Sequence, residues 1–480
     1  MSPHGQEPVA PTQIDEDAPT RTDPVAAAAS EIIGGPLGHF AAAARHTARS
    51  AWQPAAVVLI GLSSLTMAFG VLQKAHCFGK GWNTPDQFWH ACYSDLPVVF
   101  ASSGLGHAMP YLPGAKPLDQ PLVSGLGMWL VGLAVPDGSA MVQQQWYFAL
   151  WAVLLTVILM ALVVVTAASL PSAPWRAAHI ALSPVLVLAG LVSADLLGVL
   201  LTSVALLAWG RSRVPLAGVV LGLAISARSY PLVLLVAIGL LALRSGRLAA
   251  WGRLAATAMA TWLAVSLPWL VMNADALLAV YRTWWHAGAS YGSIWMVPSL
   301  FNHGLPEAVV TGLAILGWLT ALGVGAFFTL GLDRRPTVAE VSLVMLVIVV
   351  ATGKAVPVQA GLWLLPLIAL VGLQWRDHLV WAGLEASYFL AVWLYIAGLS
   401  KPDRGLPKGG YSVLLGLRLL AWLFVLVQVW RVARSRWPVE PDQPAGPGSE
   451  GLDELEVEKE VDPLAGPMAG APDRLLVRLT

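Results

Sequence analysis

Charged side chains are rare in this chain, and several of them stand in short polar segments between long apolar runs. Only 12% of the residues are charged, whereas 57% are hydrophobic. The segment 92–97, Cys-Tyr-Ser-Asp-Leu-Pro, carries Asp95, and later segments carry Asp195, Arg228 and Lys354. A carboxylate can take a proton from a reacting hydroxyl, and a nearby cation can hold a departing anion. These residue types predict a polar reaction site at the edge of a membrane.

The apolar runs predict an all-α, polytopic membrane protein. A helix needs roughly 20 apolar residues to cross the hydrocarbon core. The 480 residues contain about a dozen such runs, at 55–73, 147–169, 177–192, 195–210, 214–228, 231–243, 250–271, 307–331, 338–352, 357–373, 379–398 and 412–430. The 22 tryptophans suit membrane interfaces, and the formal net charge of +0 gives no basis for binding nucleic acid.

Arginine clusters predict which loops face the cytoplasm. Positive residues favour that side, and the clusters fall on one side if the runs alternate. They are Arg45/Arg49, Arg211/Arg213, Arg244/Arg247, Arg334/Arg335, Arg376 and Arg431/Arg434/Arg436. An even number of crossings keeps both ends of the chain on that side, so we interpret the run 121–135 as a re-entrant or in-plane helix. The polar segments with Asp95, Asp195 and Arg228 then face outside, in a multi-pass plasma-membrane protein.

Three regions follow from this topology. Residues 1–50 are predicted to be a disordered cytoplasmic tail that ends in a juxtamembrane helix, and 51–436 form the transmembrane domain. Residues 74–120 form its long outer loop, the candidate catalytic loop. Residues 437–480, rich in Pro and Gly with an acidic stretch at 450–462, are predicted to be a second disordered tail.

The two cysteines of the chain, Cys77 and Cys92, both fall in the outer loop. A disulfide between them would close a small loop; the alternative is two free thiols. The ten histidines show no His-x-x-x-His spacing, and we expect no metal site. Neither a P-loop nor a dinucleotide-binding fingerprint is present. The pair Gly218 and Gly222 is typical of helix packing rather than of a phosphate site.

A series of short motifs spans about residues 50–440. They are Tyr-Ser-Asp-Leu-Pro at 93–97, Asp-Gln-Pro-Leu-Val-Ser-Gly at 119–125, Ala-Leu-Ser-Pro at 181–184 followed by Asp195, Ala-Gly and Gly-Leu at 217–218 and 222–223 followed by Arg-Ser-Tyr-Pro at 228–231, Gly-Ser-Ile-Trp at 292–295, and Lys354, Gln359 and Leu-Trp-Leu-Leu-Pro at 362–366. No single motif is specific. Their order and spacing together resemble glycosyltransferase family 87 of the GT-C class, in particular its actinobacterial members.

The resemblance implies a GT-C-like bundle of about 12 transmembrane helices and a cofactor-independent glycosyltransferase. The enzyme would move a sugar, with mannose the expected one, from a polyprenyl-phosphate donor to a lipid-linked or cell-envelope acceptor. It would have Asp95 as the base, and Arg228 and Lys354 would hold the phosphate. The remaining residues that the resemblance assigns to donor or substrate binding are Asp119, Asp195, Tyr230, His286 and Gln359. The other partners expected are membrane lipids.

Several residues have a plainer interpretation as well. Asp95 could cap the helix that begins near Pro97, and Asp119 could cap the helix over 121–135. Arg228 could form an ion pair with Asp195, because both lie at the outer ends of adjacent antiparallel helices; in that arrangement the aspartate would also orient the arginine. Glu385 and Arg418 are intramembrane charges whose predicted depths differ, so we do not expect them to pair.

Two other functions stay open. A transporter or flippase of a lipid-linked substrate would show inverted repeats and broken helices near the midplane, whereas this sequence shows no repeat and its polar residues lie at the outer edge. A non-catalytic relative that binds polyprenyl phosphate is the other possibility.

Overall fold

The described residues of this computed structural model are 25, 52–106, 109–116, 118–435 and 462–477, and every regular element among them is helical. The predicted N-terminal tail and the acidic stretch to residue 461 lie outside these residues, apart from residue 25. The α-helices are α1 (Trp52–Gln73), α2 (Ala75–Lys80), α3 (Asp86–Trp89), α4 (Asp95–Ser103), α5 (Leu122–Gly132), α6 (Ala140–Ser169), α7 (Ala178–Ala181), α8 (Pro184–Ala189), α9 (Asp195–Gly210), α10 (Val214–Ala227), α11 (Pro231–Arg244), α12 (Leu248–His286), α13 (Val297–Leu300), α14 (Glu307–Gly331), α15 (Val338–Ala351), α16 (Ala360–Val371), α17 (Trp375–Ser400) and α18 (Lys408–Ser435).

Six helices are long and apolar enough to cross a membrane: α1, α6, α12, α14, α17 and α18. Helices α5, α9, α10, α11, α15 and α16 are apolar but only 10–17 residues long. The chain is therefore an α-helical protein with membrane-spanning character, and a total of 12 crossings stays a prediction. The predicted run 177–192 is not one helix. It breaks at Ser183-Pro184, where the Ser183 hydroxyl accepts a hydrogen bond from the Val185 N–H and the proline opens α8.

Helix α10 packs closely on α12 through its two small residues. A Cβ at Gly218 would lie 2.8 Å from the Leu254 carbonyl oxygen, and one at Gly222 would lie 2.5 Å from that of Ala258. Only glycine allows this approach of the two backbones, so the prediction of a small-residue packing site is confirmed.

The described residues of the segment 74–139 form four helices, α2 to α5. The predicted disulfide joins Cys77 to Cys92, with their Cα atoms 5.8 Å apart. Helix α5 has 11 residues and rises about 16 Å, roughly half the thickness of a hydrocarbon core. It is too short to cross alone, which fits the expectation of a re-entrant or in-plane helix.

Glu385 and Arg418 do pair, contrary to our expectation. The Arg418 Nε–H donates to Glu385 Oε2 at 3.0 Å, and both side chains are buried. The two residues lie on α17 and α18, which form an antiparallel hairpin. The long arginine side chain spans the difference in depth that the sequence suggested. The guanidinium also donates to the carbonyls of Val356 and Pro357, so the pair anchors the loop before α16.

Residues 462–477 lie against one end of the bundle, which corrects the predicted disorder over that part of the tail. Leu464 and Met468 are buried there. The Asp462 carboxylate accepts from the Val338 N–H at 3.1 Å, at the start of α15. The Val477 N–H donates to the Leu330 carbonyl at 2.9 Å. The disorder was predicted from the average composition of the tail. That average gave no weight to the few apolar and acidic residues whose burial and hydrogen bonds hold this segment in place.

Candidate functional site

The site is built around an ion pair between Arg228 and Asp195. Asp195 begins α9 and Arg228 follows α10, so the antiparallel pairing of these helices brings both residues to one end of the bundle. The Arg228 Nε–H donates to Asp195 Oδ1 at 2.9 Å, and Nη2 makes a second, shorter contact with the same oxygen. Asp195 also accepts from the Ser193 hydroxyl at 2.7 Å and from Trp363 Nε1 at 2.7 Å. Its carboxylate is buried and fully hydrogen-bonded.

Arg228 is held from a third direction by a residue that we did not predict. Its Nη1 donates to the Gln120 side-chain oxygen at 2.9 Å. Within the described residues, these contacts use three of the five N–H groups of the guanidinium. The Arg228 side chain keeps 13% of its surface exposed, against 1% for Asp195. The arginine can therefore donate further hydrogen bonds to an anion. In the sequence, the role of Gln120 was indicated by its position in the motif at 119–125.

Asp95 reaches this cluster because its backbone is fastened to the chain just before α9. The Asp95 N–H donates to the Val192 carbonyl at 2.7 Å, and the Ser94 hydroxyl donates to that of Leu191 at 2.7 Å. Its carboxylate accepts from the Tyr93 hydroxyl at 2.7 Å. Ser94, rather than Asp95, holds the N-cap position of α4, so the capping interpretation of Asp95 is wrong.

Burial raises the pKa of Asp95, and the negative charge of Asp195 raises it further; the Tyr93 hydrogen bond and the charges of Arg228 and Lys74 act in the opposite direction. A carboxylate whose pKa is raised is a better proton acceptor than an ordinary aspartate. The same interactions show that Asp95 lies within electrostatic range of Arg228 and Asp195.

Lys74, which lies near Asp95, is a second residue of the site that sequence reasoning missed, after Gln120. Its side chain is fully buried, its ammonium donates to the Tyr93 carbonyl at 2.9 Å, and it lies 5.1 Å from the centre of the Phe389 ring. Burial lowers the pKa of Lys74 to about 7, against the effect of the Asp95 charge. A lysine at the end of an apolar run is usually interfacial, so the sequence carried no signal for this burial.

Tyr230 supports the cluster, whereas the Gln359 side chain makes no hydrogen bond to it among the described residues. The Tyr230 ring stacks on Trp363 with centroids 5.2 Å apart, and its hydroxyl donates to the Thr202 hydroxyl at 3.0 Å. This stack holds the indole whose N–H binds Asp195. Gln359 is buried at the start of α16, one helical turn before Trp363.

The structure does not bring Lys354 into the cluster. Its ammonium donates to the carbonyls of Trp284 at 2.6 Å and Trp285 at 3.0 Å, and to the Thr311 hydroxyl at 2.8 Å. These three acceptors match the three N–H bonds of the ammonium. Burial lowers the pKa of Lys354, whereas the charge of Glu307 raises it. Lys354 therefore caps the end of α12, where exposed backbone carbonyls favour a cation.

His286 and Asp119 are exposed. His286 is the last residue of α12, and Asp119 precedes Gln120. Helix α5 begins after Pro121 without a side-chain cap, so Asp119 does not cap it. Partial burial raises the pKa of Asp119. Neither residue makes a hydrogen bond to the Arg228 cluster among the described residues.

The Gly-Ser-Ile-Trp motif at 292–295 fastens two loops together. The Ser293 hydroxyl donates to the Gly353 carbonyl at 2.6 Å, and Trp295 Nε1 donates to that of Thr352 at 3.0 Å. Gly292 has a φ of 81° and lies against the Val356 carbonyl, where a side chain would clash. These contacts give the motif a structural role.

An apolar cavity of about 120 Å³ is lined by residues close in sequence to two members of the cluster. Its lining includes Leu122, Ser226, Trp262, Leu270 and Tyr281. Leu122 lies two residues after Gln120, and Ser226 lies two residues before Arg228. Helix α12 is kinked at Asn273, five residues after Pro268, which separates the parts of α12 that line the cavity.

No protein-family model matches the chain, and no curated protein matches it.

Proposed function

We propose that the protein is a membrane glycosyltransferase that takes a sugar, with mannose as the expected one, from a polyprenyl-phosphate donor. The observation that carries this proposal is the partly exposed guanidinium of Arg228, with Asp95 within electrostatic range. An apolar cavity lined by Ser226, two residues before Arg228, supports it. A base, an anion site and an apolar cavity are the three elements that this reaction requires.

The proposed reaction proceeds in one displacement. The hydroxyl oxygen of the acceptor forms a bond to the anomeric carbon as Asp95 takes the hydroxyl proton. The bond from that carbon to the phosphate oxygen breaks, and its electron pair leaves with the phosphate. Arg228 stabilises the resulting charge through N–H groups that remain available, while Asp195 holds the guanidinium in place. Attack opposite the leaving group would invert the anomeric centre.

The cavity supports a lipid-linked donor rather than a soluble one. Its lining is almost entirely apolar, and it adjoins helices α5, α10 and α12. A polyprenyl chain buries apolar surface there, which is favourable in proportion to the area covered. The acceptor would be a lipid-linked or cell-envelope glycan.

The charge distribution supports a proposal for the side of the membrane on which the reaction takes place. The arginines of 211–213, 244–247 and 334–335 lie at the end of the bundle where residues 462–477 dock, opposite to Asp195 and Arg228. Because positive loops favour the cytoplasm, we propose that the site faces the outside of the plasma membrane.

Replacement of the proposed base tests the function. Asp95→Asn keeps the shape of the side chain but removes its ability to take a proton. We expect transfer of radiolabelled mannose from polyprenyl phosphomannose, in membranes that contain the protein, to fall by about 10²–10⁴-fold. Photo-crosslinking of a polyprenyl phosphate should persist. Asp275→Asn, on an exposed aspartate paired with Arg282, is the matched control and should leave transfer unchanged.

Two results would reject the assignment. Unchanged product in Asp95→Asn membranes would exclude Asp95 as the base. Lipid crosslinking without transfer in the unmodified protein, across a panel of polyprenyl-phosphate sugars, would favour a binding protein. If the unmodified protein instead moved the labelled lipid between leaflets of vesicles, a flippase would be the better description.

A further inference from the structure

A group of metal-ligating side chains lies in the outer loop, outside the cluster around Arg228. His76, Asp86 and His90 place their ligand atoms within 4.8 Å of one another. His76 Nε2 is 2.6 Å from Asp86 Oδ2, and His90 Nδ1 is 3.3 Å from Asp86 Oδ1. The two imidazole rings stack with centroids 3.5 Å apart. The search for His-x-x-x-His spacing missed this set because one of its ligands is an aspartate, and no part of the proposed transfer uses these residues.

Local structure explains why the three side chains meet. Asp86 begins α3 and His90 is the residue that follows it, and their spacing of four residues puts them on one face. His76 precedes Cys77, and His90 lies two residues before Cys92. The disulfide between these cysteines closes the loop that contains Asp86. The ligands are thus held together by covalent bonds and one helical turn. The sequence signal was Asp-x-x-x-His at 86–90.

From this geometry we propose that His76, Asp86 and His90 bind a divalent transition-metal ion, with Zn²⁺ as the best fit. Two imidazoles and one carboxylate are a common Zn²⁺ ligand set, and water would complete the tetrahedron. Calcium and magnesium prefer oxygen ligands, so the two histidines argue against them.

The distances suit this ion with a small adjustment. Bonds of about 2.0–2.1 Å from zinc separate neighbouring ligand atoms by about 3.3 Å. The His90–Asp86 distance is already 3.3 Å. The 2.6 Å contact between His76 and Asp86 is a hydrogen bond that would open when the ion replaces its proton. The side chains are 34–45% exposed, so an ion can reach them and the rings can separate.

Titration of the full-length, disulfide-intact protein tests the site. The protein is purified in detergent through a tag without histidines, treated with EDTA and desalted. Zn²⁺ is then titrated by calorimetry, and Co²⁺ by the visible absorption of its bound form. We expect one equivalent of either ion to bind, with a dissociation constant of micromolar order or tighter.

Matched variants locate the ion. His76→Ala, His90→Ala and Asp86→Asn should each weaken Zn²⁺ binding about tenfold or more. His303→Ala removes an exposed histidine elsewhere and should change nothing. Thiol labelling without reductant shows whether Cys77 and Cys92 stay paired, so loss of binding is separated from loss of the loop. Affinity equal in His76→Ala and the unmodified protein, or no saturable binding at all, would overturn the proposal whether or not the protein transfers sugar.

Discussion

An arginine lies near each end of helix α11, and the two arginines have different surroundings. Arg228 lies three residues before α11, and Arg244 is its last residue. Each pairs with an aspartate, Arg228 with Asp195 and Arg244 with Asp473. Arg244 is wholly buried and donates to the carbonyls of 329, 332 and 333 at 2.6–2.9 Å. Arg228 is partly exposed, and among the described residues its guanidinium donates only to side chains.

Arg244 is suited to a structural role, whereas Arg228 is suited to binding a ligand. The acceptors of Arg244 are mostly backbone carbonyls, which cannot turn away without moving the chain between α14 and α15. The acceptors of Arg228 are a buried aspartate, which fixes it, and Gln120, a side chain that can rotate to admit another acceptor. Ser226, two residues before Arg228, lines an apolar cavity. Exposure and partner type, rather than the presence of an ion pair, distinguish the two sites.

Removal of Arg228 should have the largest effect, because it affects both stability and transfer. Arg228→Met leaves Asp195 buried without its cation, a change that typically costs about 3–5 kcal/mol in the free energy of unfolding. Mannose transfer should fall at least about 100-fold. Chemical unfolding in detergent and the transfer assay measure the two effects.

The double variant Asp195→Asn with Arg228→Met distinguishes the two roles of the pair. It removes the unpaired charge, so much of the lost stability should return while transfer stays low. Recovery of transfer together with stability would show that Arg228 acts only as a partner of Asp195.

Arg244→Met should lower the stability of the protein without a specific effect on transfer. It leaves several buried carbonyls without a donor and should lower the free energy of unfolding by about 3 kcal/mol. Transfer per folded molecule should stay close to that of the unmodified protein, because Arg244 lies at the opposite end of α11. A specific loss of transfer at equal amounts of folded protein would mean that the two ends are coupled.

The sequence was most informative where partners are close along the chain or lie on adjacent helices. Cys77 and Cys92 are 15 residues apart, and Asp195 and Arg228 end neighbouring antiparallel helices. Both pairings could be predicted. The sequence Ser183-Pro184 indicated the break in the apolar run 177–192, because proline cannot extend the helical hydrogen bonds.

Contacts between distant segments could not be predicted. Gln120 reaches Arg228 across 108 residues, and Lys74 is buried through contact with Tyr93 and Phe389. Lys354 carried the charge expected of a phosphate ligand, but three acceptors from α12 and α14 occupy it. Residue type revealed the chemistry available, whereas packing decided which groups remain free to use it.

The smallest effect on the free energy of unfolding should come from replacing Asp473, the partner of Arg244. Burial alone would raise the pKa of Asp473, but hydrogen bonds from Arg244 and Arg335 outweigh it and hold the pKa below 3.8. The carboxylate therefore stabilises the folded protein fully above pH 3.8, and this contribution disappears as the pH falls through the lower pKa of the folded state. We expect Asp473→Asn to lower the free energy of unfolding by about 1 kcal/mol at pH 7. The difference from the unmodified protein should vanish in strong acid, and a difference that stayed constant with pH would show that the contact does not depend on the charge of Asp473.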